Sequence, residues 1–435
     1  MSEIQKIYNL FLKCNQKICI DTRSKEIKNS LFICIKGDNF DGNNFAEEAI
    51  IKGAKYVITS SKKANKKSRI INVEDGLKTL QSLGKIHRQS FSIPVIGITG
   101  TNGKTTTKEI LSYIMQGEIN VCKTEGNLNN HIGVPLTLLK IKKKDNLAII
   151  ELGANQIGDI TFLCSIADPT HGVITNIGAA HLSGFGNVQN ILKAKSELYN
   201  YIKKKNGTIF IDSNNTELME CIKEYTHIHT YKTIDLEDES VLQKKMKFKC
   251  TPFIQLKWKE LELQTKIIGN YNINNLICAL TIAKFFKIKN STITNQIKNL
   301  ELKNNRSQLI STDKNYIILD AYNANPTSVK FAINNFIENN FIKKELVIIL
   351  GDMLELGTKT IEYHQNIVKT LERTDLNKYI LIGQNFQKTN SSKKFIKFNN
   401  TETCKCFLKE NTITNSQILI KGSRKMRLEE LVSLL

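Results

Sequence analysis

The 435-residue chain has no unbroken apolar run of transmembrane length, and Met1-Ser2-Glu3-Ile4-Gln5 lacks the basic-then-apolar layout of a secretion signal. A cytoplasmic protein without membrane insertion is expected. Zinc-finger and redox CxxC spacings are also missing. The ten cysteines are scattered from Cys14 to Cys406, and the closest pair is Cys404-Lys405-Cys406, so reduced, mostly buried thiols are expected. Arginine is scarce: of 62 basic residues only Arg23, Arg69, Arg88, Arg306, Arg373, Arg424 and Arg427 are arginines. The formal charge of +21 therefore rests on lysine, in dispersed runs such as Lys142-Lys143-Lys144 and Lys203-Lys204-Lys205. A nucleic-acid surface would concentrate charge and interleave arginine or aromatics, so these runs read as solvated faces and no nucleic-acid partner is expected.

What is present is enough apolar sequence for two or three domains. Residues 1–90 hold strand-like Ser30 to Ile35 and Lys55 to Thr59 around a helical Phe45 to Lys52, which makes a small α/β unit. In residues 91–302, apolar runs such as Leu147 to Ile150, Gly172 to Thr175 and Gly207 to Ile211 alternate with helical patterns, the mark of a mostly parallel sheet covered on both faces. Alternation restarts in residues 303–435 with Tyr316 to Leu319, Leu346 to Leu350, Tyr379 to Ile382 and Gln417 to Ile420, the strands of a second doubly wound sheet. Lys303-Asn304-Asn305 reads as the linker. The charged tract Tyr225 to Lys249 yields no chemistry.

The densest chemical signal is Gly100-Thr101-Asn102-Gly103-Lys104-Thr105-Thr106, placed after the apolar run Ile93 to Ile98 and before a helix expected over Thr107 to Met115. Glycines let backbone N–H groups close on oxyanions, Lys104 supplies a point charge for phosphates, and the Thr105 hydroxyl can hold Mg²⁺. Ile98 stands where the general GxxxxGK[ST] pattern wants its first glycine. Two later strand ends add polar groups at the carboxyl edge, where open α/β sheets bind ligands: Glu151 and His181. Glu151 reads as a Mg²⁺ ligand or as a cap of the turn that follows it. His181 reads as functional by the same placement, and Lys195 as one more helical lysine.

Together these motifs resemble the Mur ligase superfamily, the ATP-dependent amide-forming enzymes of peptidoglycan synthesis. The resemblance spans Asp21-Thr22-Arg23 and Lys36 to Gly42, then Gly100 to Thr106, Gly126 to Asn130, Gly133 to Thr137 and Asn176 to Phe185. It continues through Asp320 to Pro326, Gly351 to Gly357 and Lys421 to Arg424. The elements Gly126-Asn127-Leu128-Asn129-Asn130 and Tyr322-Asn323-Ala324-Asn325-Pro326 are those of the branch that joins D-alanyl-D-alanine (D-Ala-D-Ala) to UDP-N-acetylmuramoyl-tripeptide (UDP-MurNAc-tripeptide).

The resemblance implies a small N-terminal α/β domain (1–90) for the UDP-sugar, a central P-loop ATPase-type parallel-sheet domain (91–302), and a C-terminal Rossmann-like domain (303–435), acting as a monomer. It places the ATP phosphates on Gly100 to Thr106, one Mg²⁺ on Thr105 and Glu151, and a second on His181. Lys195 would be carbamylated to serve that second ion. Asn272 and Asn275 would lie on the adenine side, with Arg306 and Asp320 at phosphate and ribose. Thr22, Arg23, Lys36, Asn127, Asn129, Asn130, Tyr322, Asn323 and Asn325 would face the substrates. The chain departs from the family pattern at Asn43, Gln156 and Asn305, none of them an implied metal or phosphate ligand. Rival readings are a sister Mur ligase, a folylpolyglutamate synthase, or a nucleic-acid-stimulated ATPase.

Overall fold

The computed structural model describes residues 2–38, 40–62, 68–180, 182–233, 248–250, 252–302, 305–339 and 344–435. The N-terminal unit is a four-stranded parallel sheet, ordered Ile18–Cys19, Leu31–Ile33, Tyr56–Thr59, Ile70–Asn72. Helix Gly76–Gln89 leads out of it, started by Asp75, whose carboxylate accepts from the N–H groups of Leu77 and Lys78. The end of this helix is fastened to the central unit. Arg88 donates to the carbonyls of Ala167, Phe91 and Asp168, and His87 Nε2 lies 2.9 Å from the Ile141 carbonyl.

Six parallel strands form the central sheet in the order Ile228–Tyr231, Thr208–Asp212, His171–Ile174, Val95–Thr99, Leu147–Glu151, Val121–Lys123. Leu147–Glu151 is buried at every position, because helices cover both faces and no alternation is needed. Helices Lys104–Met115 and Asn272–Phe285 pack on one face; Asp159–Ala167 and Val188–Lys204 pack on the other. The first of these begins three residues earlier than the sequence pattern suggests. Gly103, at φ +78°, sits immediately before its first residue.

An antiparallel meander, Phe248–Cys250, Phe253–Trp258 and Leu261–Ile268, extends the core on the face covered by helices Lys104–Met115 and Asn272–Phe285. Sequence reasoning passed over it, although Phe253–Trp258 and Leu261–Ile268 alternate buried and exposed positions as a half-buried strand should. Within the tract Tyr225 to Lys249, residues 234–247 lie outside the described residues, as do Lys303 and Asn304 of the expected linker.

The C-terminal sheet runs Gln308–Ser311, Asn315–Asp320, Ser416–Lys421, Glu345–Gly351, Lys378–Ile382, Phe395–Phe398. It is mixed. Gln308–Ser311 pairs antiparallel with Asn315–Asp320, since the connection between them is far too short for a parallel crossover. The other pairings are parallel. All ten cysteines are unpaired and eight are buried. Among the described residues no helix is long and apolar enough to cross a membrane.

Candidate active site

A cleft of about 620 Å³ opens at the carboxyl ends of the central strands and is closed on its far side by the C-terminal unit. Its floor is the loop after Val95–Thr99. Gly100 has φ +142°, and a Cβ there would come within 2.1 Å of Thr175 Oγ1; one on Gly103 would come within 2.2 Å of Asn275 Oδ1. Glycine is what lets the neighbouring strand end and helix approach this closely. Asn176 pins the loop: its carbonyl accepts from Thr101 N, its side-chain oxygen accepts from Asn102 N, and its Nδ2 donates to the Asn102 carbonyl. The amides of Thr101 and Asn102 are thus engaged. The first turn of helix Lys104–Met115 keeps the N–H groups that a helix leaves free for an anion.

Lys104 Nζ donates to the carbonyls of Gly100 and Thr101 at 2.7 and 3.0 Å. Burial pushes its pKa down to about 8, against the pull of Glu151 and with a further push from Arg306. Glu151 is 1% exposed. Thr105 Oγ1 donates to its Oε2 at 2.8 Å and Asn129 Nδ2 to its Oε1 at 2.8 Å. One carboxylate therefore joins the phosphate loop to the loop that carries Asn127, Asn129 and Asn130. Asn130 holds that loop by accepting from the N–H groups of Ile132 and Gly133.

Asn272 and Asn275, expected on the adenine side, contact one another as well as the cleft. Asn275 Nδ2 donates to Asn272 Oδ1, and Asn272 Nδ2 donates to the Ile268 carbonyl. Across the cleft the Arg306 guanidinium lies 3.7 Å over the Tyr322 ring, and its buried Nε has no partner among the described residues. Asp320 accepts from Lys421 Nζ at 2.6 Å and from Ser307 N at 3.3 Å, while the Tyr271 hydroxyl lies 2.6 Å from Ser307 Oγ. The Asn323 carbonyl accepts from Lys421 Nζ.

Thr101 to Thr106, Asn127, Asn129, Asn130, Glu151, Asn272, Asn275, Arg306, Asp320, Tyr322 and Asn323 all line the cleft, while Gly100 sits beneath it. Asn325 does not line it. It is buried as the N-cap of helix Pro326–Glu338, and its Nδ2 donates to Asn102 Oδ1 at 2.7 Å. Lys195 is 3% exposed, with its Nζ 5.6 Å from the Phe185 ring centroid and no hydrogen bond or ion pair among the described residues. Burial first, then the charge of Lys104, pushes its pKa down to about 7. His181 lies outside the described residues. Thr22, Arg23 and Lys36 belong to the N-terminal unit away from this cleft, with Arg23 exposed and paired to Asp21.

Sequence reasoning missed Asn176, Ser307, Lys421 and Lys108. Asn176 and Lys421 both stood inside recognised motifs. Lys108 follows Lys104 by four residues, so helical periodicity alone puts both on one face.

Three family descriptions match the chain: "Mur ligase family, catalytic domain" over residues 17–88, "Mur ligase middle domain" over 98–283, and "Mur ligase, glutamate ligase domain" over 305–419. The UDP-N-acetylmuramoyl-tripeptide–D-alanyl-D-alanine ligase of Bacillus subtilis is 33% identical over 427 residues, covering 95% of this chain and 92% of its own. The crystal structure of MurF from Acinetobacter baumannii superposes with a TM-score of 0.82 at 28% identity, covering 96% of this chain and 92% of that one. The fold is equally that of MurF from Thermotoga maritima in complex with ADP, with a TM-score of 0.82 at 24% identity over 100% of this chain and 98% of that one. With its phosphate loop, its carboxylate at the next strand end and these matches across all three units, the chain belongs to the Mur ligase family.

Proposed function

We propose that the protein is the ATP-dependent, ADP-forming ligase that joins D-Ala-D-Ala to UDP-MurNAc-tripeptide in peptidoglycan precursor synthesis, working as a monomer in the cytoplasm. The observation that carries this is the Glu151 carboxylate, held at once by Thr105 of the phosphate loop and Asn129 of the facing loop. Phosphoryl donor and carboxylate acceptor would meet there. Relatives that carry the name of this ligase and match nearly the whole chain support the choice of substrates.

A carboxylate and an amine do not condense directly, because the leaving group would be oxide. The terminal carboxylate of the tripeptide attacks the γ-phosphorus of ATP, releasing ADP and leaving an acyl phosphate. The D-Ala-D-Ala amine then attacks the acyl carbon, and inorganic phosphate departs. Lys104 and the first-turn amides of helix Lys104–Met115 would neutralise charge on the transferring phosphoryl, and Arg306, whose Nε has no partner among the described residues, would close on the phosphates from the other side.

Thr105 and Glu151 are hard oxygen donors within hydrogen-bond distance of each other, a set that suits Mg²⁺, which takes one or two protein oxygens and fills its remaining positions with water and phosphate. When bound, the ion supplies charge neutralisation and alignment of the phosphate oxygens. Lys195 fits carbamylation: it is buried, has no ion pair among the described residues, and has a pKa held near neutrality against the weaker pull of Asp159 and Glu197, so its amine can add to CO₂ with loss of a proton and become an anion. With His181 that anion would serve a second ion. Residues 1–90, with Thr22, Arg23 and Lys36, would take the UDP-sugar, residues 91–302 the ATP, and residues 303–435 the closing half of the site.

Purified protein given ATP, Mg²⁺ and UDP-MurNAc-tripeptide is expected to release phosphate only on addition of D-Ala-D-Ala. Release with a free diamino acid or glutamate instead would overturn the assignment.

A further inference from the structure

Lys108 is 0% exposed and does not line the cleft, yet it reaches the centre of it from behind. Its Nζ donates to the Gly126 carbonyl at 3.2 Å and lies 3.5 Å from Glu151 Oε2 and 3.2 Å from Glu109 Oε1. Glu109 has a second cation in Lys123, whereas Lys108 is the one described ion-pair partner of Glu151. A cation taken wholly out of water is costly unless it is paired and hydrogen-bonded. The three oxygens that offset this cost belong to the helix itself, to the carboxylate of the site, and to the loop that bears Asn127, Asn129 and Asn130. Gly126 has φ +53° and open space where a side chain would be, so no side-chain packing fixes the loop at that point.

We propose that Lys108 is a positioning residue for phosphoryl transfer, setting the Glu151 carboxylate and the Asn127–Asn130 loop in one arrangement through a single buried ammonium. The inference rests on the reading of Glu151 as the metal carboxylate. Two roles predict opposite signs. If Lys108 only balanced charge, removing it would strengthen cation binding at Glu151. If it positions, removing it weakens cation binding and loosens the facing loop together.

The test uses Lys108→Met, Lys108→Arg, Glu151→Gln and the double variant Lys108→Met/Glu151→Gln. The Mg²⁺ concentration for half-maximal thermal stabilisation is read at fixed non-hydrolysable ATP analogue, alongside kcat and KM for the sugar-tripeptide. Lys108→Met is expected to raise the Mg²⁺ midpoint about tenfold and to raise the sugar-tripeptide KM, while metal-free nucleotide affinity stays within about twofold. Lys108→Arg should recover most of the loss. In Mg²⁺ midpoint the double variant should match Glu151→Gln alone, because Lys108 acts on the cation through that carboxylate. If Lys108→Met does not fold, Lys108→Gln carries the same expectation. A folded variant with an unchanged or lower Mg²⁺ midpoint, or additive effects in the double variant, would overturn the proposal. A wild-type midpoint in Glu151→Gln would instead overturn the metal reading beneath it.

Discussion

Lys195 shows what a single buried cation costs a fold. Its pKa falls from 10.5 to about 7, chiefly because burial disfavours the charged form. The sign follows from linkage. Below pH 7 the side chain is protonated in both states and the folded chain bears the full cost; between pH 7 and 10.5 the unfolded chain binds more protons, so stability rises with pH. Lys195→Met is therefore expected to stabilise the CO₂-free protein by on the order of 1–2 kcal/mol at pH 7, with the gain shrinking toward pH 10 and ligase activity lost. Denaturant titrations at the two pH values check this; a variant no more stable than wild type at pH 7 would contradict it. In ¹³C-bicarbonate, wild type but not the variant should show a carbamate carbon signal.

At the scale of elements, helix Pro326–Glu338 carries two loads at its N-cap. The Asn325 side chain accepts from Ser328 N, Ser328 Oγ closes the reciprocal bond of a capping box, and Asn325 Nδ2 reaches the phosphate loop at Asn102. Two substitutions separate these roles. Asn325→Ala loses cap and bridge and should cost about 1–2 kcal/mol of stability. Asn325→Asp keeps a good cap but sets a carboxylate against Asn102 Oδ1, so stability should hold within about 0.5 kcal/mol while the KM for ATP rises several-fold. Equal destabilisation by the two would show that the bridge contributes nothing separable from the cap.

The same elements mark what could be read from the chain itself. Strands such as Leu147–Glu151 and Ser416–Lys421, buried throughout, announce themselves as apolar runs, and a polar residue at the end of such a run, as with Glu151, points to the crevice. The meander Phe253–Ile268 was legible in its alternation but lay beside a tract without pattern. The antiparallel edge Gln308–Ser311 follows from a short connection rather than from strand composition. Asn325 was recognisable as part of a motif, but its motif does not say that it caps a helix instead of lining the cleft. Lys108 shows the remaining limit: that a lysine is fully buried depends on what packs around its helix, which periodicity alone does not reveal.

At the scale of the whole molecule, the cleft draws cations from two units that repel when nothing lies between them. Arg306 from the C-terminal unit helps to depress the pKa of Lys104 in the central unit. The direct polar links between these units include Asn325 to Asn102, Ser183 N to the Glu355 carbonyl and Tyr271 to Ser307, and Ile268 of the central unit packs into the C-terminal core. A triphosphate placed between Lys104 and Arg306 would convert that repulsion into a bridge. At a hundred times its Kd, nucleotide should add about 2.7 kcal/mol of stability to wild type and shift the unfolding of both units together in calorimetry. In Arg306→Met the unliganded stability should fall by no more than about 1 kcal/mol, the worth of the lost contact with the Tyr322 ring, because Nε has no described hydrogen-bond partner to lose. Its ATP affinity should fall by about 1.5–3 kcal/mol, the worth of a hydrogen bond to a charged group, and saturating nucleotide should then raise the transition of the central unit while leaving that of the C-terminal unit in place. If both transitions still move together in Arg306→Met, the coupling between units runs through other contacts and not through the bound phosphates.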